Sequence, residues 1–109
     1  MDSQRVINQD VQRVIKEYLQ SVRESGIRVD GAFLFGSYAK GTAEKGSDID
    51  LCIISSGYGK DYHEEMVHLR GLTHPYDYSM DVIPFHPKDL QEKYNSLAKE
   101  IRTHGIPVT

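Results

Sequence analysis

One cysteine, Cys52, is all the thiol in this sequence, and that excludes an intramolecular disulfide. It lies in an apolar run, where a lone cysteine reads as a small buried hydrophobe. No apolar stretch approaches the roughly 20 residues that a membrane-spanning helix needs. The first ten residues, MDSQRVINQD, contain no apolar segment of the kind found in a secretory leader. The expected compartment is the cytoplasm, with no membrane association. Basic residues are outnumbered: 13 lysines and arginines face 16 aspartates and glutamates, giving a net charge of −3. Non-specific binding of nucleic acid depends on a basic footprint that this balance lacks, so nucleic acid is not an expected partner. Internal repeats, low-complexity tracts and long linkers are missing as well. The 109 residues are therefore expected to form a single domain, residues 1–109, that buries a core without staples.

What the sequence does contain is an alternation of amphipathic segments and short apolar runs. Ile7, Val11, Val14, Ile15, Tyr18, Leu19 and Val22 recur at helical spacing, with Asp2 or Ser3 placed to cap the start and Gly26 the end. GAFLFG, residues 31–36, reads as a buried strand bracketed by glycines. SDIDLCIISS, residues 47–56, reads as a second strand, and MDVIPF, residues 80–85, as a third. Pro84 lacks an N–H and places that third strand at an edge or a strand end. Between them, residues 61–72 read as a helix with Tyr62, Met66 and Leu69 on one stripe. Residues 87–105 read as one continuous helix, with Pro87 near its start, Gly105 after its end, and Leu90, Tyr94, Leu97 and Ile101 as its stripe. Residues 106–109, IPVT, form a short strand or a tail. The fold class is α/β (α+β): a small mixed sheet of three to four strands flanked by helices.

Two acids stand out against this background. Residues two apart on a strand share a face, so Asp48 and Asp50 project together while Ile49 and Leu51 point into the core. Ile53 is expected to follow Asp50 on the acidic face, making that face apolar beyond the pair. Paired carboxylates in an apolar strand are costly unless something compensates, and a hard cation such as Mg²⁺ is suited to do so. Asp81 opens the third strand as Asp50 opens its own apolar run, and it is the expected third acid. Asp77 is its rival, although it lies in a loop, HPYDYS. Upstream, Gly36 and Ser37 directly follow the first strand and precede YAKGT, which has the length of one helical turn. The free backbone N–H groups of such a turn form an anion site, and the Ser37 hydroxyl adds a donor. Lys40 and Lys45 lie in the intervening loop, where they are either solvated or able to neutralise phosphate. Acids for a metal and a turn for phosphates together suit a metal–nucleoside triphosphate.

Gly-Ser, ten residues, then Asp-x-Asp, with a strand on each side, resembles the signature of the DNA polymerase beta-like nucleotidyltransferase superfamily. In length and spacing the chain looks most like the minimal nucleotidyltransferase (MNT) domains of HEPN–MNT toxin–antitoxin pairs. The resemblance runs from the first helix to the terminal HGIPV. It implies that Gly36 and Ser37 contact phosphate, and that Asp48, Asp50 and Asp81 hold two Mg²⁺ ions and carry catalysis. It also implies that ATP is the nucleotide substrate and that AMP passes to a hydroxyl acceptor, a tyrosine of a HEPN-domain partner, so that the chain acts as an antitoxin. With so little chain beyond the catalytic core, a partner or a homo-oligomer is expected to complete the site. Two alternatives stand beside this reading. One is a non-catalytic module that binds nucleotide or masks a toxin; the other is an enzyme modifying a small molecule of the aminoglycoside type.

Other motifs do not hold. GTAEKGS has the glycine spacing of a P-loop but no lysine after Gly46. In HEEMVH the two histidines, His63 and His68, are five residues apart, about 140° around a helix, which does not suit a shared zinc ion. RGLTHPY resembles the HEPN ribonuclease motif only loosely, with three residues between Arg70 and His74.

Overall fold

A computed structural model describes residues 8–108. The first helix, α1, spans Gln9–Glu24. Its cap is Asn8, whose side chain accepts from the Asp10 N–H at 2.7 Å. The caps expected at Asp2 or Ser3, and the stripe position Ile7, lie outside the described residues. Val11, Val14, Ile15, Tyr18, Leu19 and Val22 are all buried, so the apolar stripe faces the core as the spacing requires. Gly26 follows the helix with a φ of 101°, in the left-handed region that glycine enters at least cost.

Strand β1, Gly31–Phe35, leads directly into a one-turn helix, α2, Gly36–Lys40. Strand β2 spans Ile49–Ile54, α3 Tyr62–Gly71 and β3 Met80–Phe85. The sheet order is β3-β2-β1-β4, where β4 is the two-residue strand Ile106–Pro107. β1 pairs antiparallel with both β2 and β4, and β2 pairs parallel with β3, so the sheet is mixed. Pro84 lies in the edge strand, where a missing N–H is tolerated.

The two faces of the sheet carry separate cores. On one face α1 packs over Ala32, Leu34, Ile49, Leu51, Ile53 and Val82. The Tyr18 hydroxyl donates to the Leu69 carbonyl at 2.8 Å, tying α1 to α3 within this layer. On the other face Phe35, Cys52, Ile54, Ile83 and Phe85 pack against Ala98 and Ile101. This arrangement corrects one expectation: Cys52 and Ile54, not Ile53, share the face of Asp50, as an alternation of period two demands. Cys52 is fully buried, as its apolar run implied.

The continuous helix expected over residues 87–105 is in fact two pieces. A 3-10 turn, Asp89–Gln91, is followed by an irregular stretch and then by α4, Ser96–His104. The break has a local cause. Asn95 caps α4, its side chain accepting from the N–H groups of Leu97 and Ala98 at 3.0 Å each. Arg102 reaches back and donates to the Leu90 carbonyl at 2.6 Å, holding the irregular stretch against the helix. Tyr94 falls in the gap and is 92% exposed, so it is not part of a stripe. Tyr62, expected on the apolar stripe of α3, is likewise 55% exposed, whereas Leu69 is buried.

Candidate active site

The register of the sheet gathers the acids. In the parallel β2–β3 pair Asp50 stands opposite Asp81, and in the antiparallel β1–β2 pair it stands opposite Phe35, the residue before Gly36. Asp48 is exposed and lies two positions before Asp50, just outside β2; the Ile49 N–H between them donates to the Ser79 carbonyl at 2.8 Å. Asp48, Asp50, Asp81 and the Gly36–Ser37 turn therefore meet at one end of the sheet. Asp77, in contrast, is exposed in the loop before β3, and it is not among the groups that act on Asp50.

Gly36 has a φ of 73°, and a Cβ there would overlap the Asp50 carboxylate. Glycine is thus required twice over, by backbone conformation and by space. The turn and the acid are in contact, which sequence spacing alone does not reveal. The Ser37 carbonyl accepts from the Thr42 N–H at 3.0 Å, and Gly41, at φ 77°, closes α2. The N-terminus of α2 has no side-chain cap.

The electrostatics of the site are dominated by Asp50. Its carboxyl is pushed up to about 6, first by burial and then by the negative charges of Asp81, Asp48 and Glu100. Glu100, on α4, is an addition that the sequence did not signal, because nothing in a helical pattern says which charged residue faces the end of a distant strand. Two cations flank the group. Lys40 Nζ lies 3.7 Å from Glu100 Oε2, and Arg70 Nη2 lies 3.4 Å from Asp81 Oδ1. Lys40 is thus brought to the site, through Glu100. Lys45 is exposed and makes no ion pair among the described residues.

The donor set suits a hard divalent cation in its chemistry: carboxylates only, one of them half-buried and raised first by that burial and then by its neighbours. As the side chains stand, no three acids, histidines or cysteines among the described residues are drawn together tightly enough to hold one. Asp81 is engaged by Arg70 through the exposed 3.4 Å ion pair.

Residues 15–104 match the nucleotidyltransferase domain family, and the chain belongs to that family. It is 34% identical to "Putative protein adenylyltransferase MJ1305" of Methanocaldococcus jannaschii, over 73% of this chain; it spans 58% of that relative's length. Among solved structures, a nucleotidyltransferase-type protein from Sulfolobus solfataricus superposes with a TM-score of 0.65 at 18% identity, covering 88% of this chain and 77% of that one. A toxin–antitoxin structure with AMP-PNP superposes with a TM-score of 0.65 at 21% identity, covering 90% of this chain and 72% of the other. These likenesses bear out the mixed α/β fold. No helix among the described residues is long and apolar enough to cross a membrane.

Proposed function

We propose that the chain is a Mg²⁺-dependent nucleotidyltransferase that moves AMP from ATP to a protein hydroxyl, and that residues 1–109 act as one minimal catalytic domain in the cytoplasm. The observation that carries this reading is the placement of Asp50 and Asp81 in register on one sheet face, with Asp48 beside them and the Gly36 turn against Asp50. Asp48 and Asp50 would hold the metal ions, and Asp81 would complete the set on the acceptor side. Bound Mg²⁺ supplies charge neutralisation of the triphosphate and activates the attacking hydroxyl. The chain's own residues do the rest. The Gly36 and Ser37 N–H groups orient phosphate oxygens, with Lys40 and Lys45 as nearby positive charges. The acceptor oxygen bonds to the α-phosphorus, the bond from that phosphorus to the β-phosphate bridging oxygen breaks, and pyrophosphate leaves. The hydroxyl proton would pass to solvent water on the Asp81 side.

The acceptor we infer is a tyrosine of a HEPN-domain toxin, with this chain as its antitoxin. The adenylyltransferase name of the archaeal relative and the nucleotide-bound toxin–antitoxin neighbour support this choice. A docked partner would present its hydroxyl to the site in a fixed orientation. The test is to incubate the chain, Mg-ATP and the co-encoded partner, and then to weigh the partner by mass spectrometry. The expected result is an AMP adduct on a partner tyrosine that disappears with Asp48→Asn. A tight, toxin-silencing complex with no change in mass would contradict transfer and favour a masking module.

A further inference from the structure

We propose that Glu100 is a positioning residue for the nucleotide: its carboxylate holds the Lys40 ammonium beside the Gly36–Ser37 turn, where the triphosphate meets it. This inference rests on the function proposed above and adds to it a residue from the last helix. Lys40 ends the one-turn helix α2 that Gly36 and Ser37 begin, three residues beyond Ser37. The Cα–Cβ bonds of a helix tilt toward its N-terminus, which for Lys40 is the turn. Glu100 lies in α4, which packs against α2. The two side chains meet at 3.7 Å, with exposures of 43% and 31%. Taken as a pair they are less exposed than any other ion pair among the described residues, so solvent screens this contact least. The charge of Glu100 also reaches Asp50, and Asp50 lies against Gly36, so the pair and the turn share one neighbourhood.

The role follows from side-chain freedom and from donors. The backbone of α2 is already set: the Thr42 N–H donates to the Ser37 carbonyl at 3.0 Å, and Gly41 closes the helix at φ 77°. That backbone does not fix the Lys40 side chain. Its four-carbon stem has many rotamers, and a phosphate that binds the ammonium must freeze them. An ion pair to Glu100 restricts the stem before the nucleotide arrives, so less freedom is lost on binding. The ammonium has three N–H donors, and one directed at Glu100 leaves two for phosphate oxygens. Lys45, the other lysine of this loop, is exposed and has no such restraint among the described residues. The charge of Glu100 works in the other direction. A carboxylate repels a nearby polyanion, so charge alone makes Glu100 unfavourable to a triphosphate. Positioning and charge therefore predict opposite signs when the carboxylate is removed.

The experiment titrates Mg-ATP by calorimetry into four forms of the chain: wild type, Glu100→Gln, Lys40→Met and the double variant. Glu100→Gln is expected to bind Mg-ATP about two- to tenfold more weakly than wild type, the range that ordering one long side chain gives. In the Lys40→Met background the same change is expected to leave affinity unchanged or to raise it slightly, because only the charge of Glu100 remains to be removed. A merely structural role in seating α4 would weaken binding in both backgrounds, so this second comparison separates the two. Equal or tighter binding by Glu100→Gln in the chain that keeps Lys40 would overturn the positioning role. An equal loss with and without Lys40 would overturn it as well. Wild-type chain that binds no Mg-ATP would instead overturn the proposed function itself, and this inference with it.

Discussion

Asp50 concentrates the tension between fold and function in one side chain. It lies in a strand whose other residues are fully apolar, and its carboxyl is pushed up to about 6 by burial, Asp81, Asp48 and Glu100. The pKa of free aspartate is about 3.9, so the folded state favours the protonated form. The stability that Asp50 contributes is therefore fully present below the unfolded value, and it is lost as pH rises through about 6. Replacing the acid with its neutral isostere removes this loss. Asp50→Asn in the absence of metal is expected to be more stable than wild type at pH 7.5 by on the order of 1 kcal/mol, the shift being discounted for the solvent screening of a half-exposed group. The two are expected to match near pH 4. Urea denaturation at both pH values measures the difference, and an Asn variant no more stable than wild type at pH 7.5 would contradict the account. Gly36 is the counterpart of Asp50. Its lack of a side chain lets the carboxylate sit against the turn, so one glycine serves both the backbone and the acid.

The elements differ in how far the sequence announced them. β1, β2 and β3 were legible because each is a short apolar run bounded by turn residues or an acid, and α1 because its stripe repeats over sixteen residues. The single continuous helix expected near the C-terminus was not what formed. Helical periodicity runs through Leu90, Tyr94, Leu97 and Ile101, but the side chain of Asn95 competes for backbone N–H groups and starts a new helix there. The juxtaposition of acids at the candidate site was legible in part, since Asp-x-Asp and the strand opening at Asp81 are local patterns. Arg70 and Glu100 were not legible. They enter from α3 and α4, and only the packing of those helices decides which of their charged residues meets the sheet end. α4 contributes Ala98 and Ile101 to the core beneath Asp50 and Glu100 to its charge, so its cap matters to the site as well as to the fold. Asn95→Ala leaves the Leu97 and Ala98 N–H groups without their acceptor. It is expected to cost about 1 kcal/mol, or roughly 4–8 °C in thermal midpoint for a domain of this size. An unchanged midpoint by circular dichroism would show that α4 does not depend on this cap.

At the scale of the whole molecule, a modest net charge of −3 conceals a strong local asymmetry. Asp48, Asp50, Asp81 and Glu100 act together at one end of the sheet, with Arg70 and Lys40 on the flanks. The rest of the fold serves to bring them there. Antiparallel pairing carries the Gly36 turn to Asp50, parallel pairing carries Asp81 to its side, and two cores hold the sheet between α1 and α4. Such a concentration of like charge is a poor device for stability and a good one for attracting a divalent cation with its phosphates. The central claim is that this end of the sheet binds nucleotide through metal. Calorimetric titration of ATP, with and without Mg²⁺, into wild type and into the Asp48→Asn, Asp50→Asn double variant tests it directly. The account predicts that wild type binds ATP only when Mg²⁺ is present, and that the folded double variant binds at least about tenfold more weakly. Mg-ATP binding of equal strength in both proteins would contradict it.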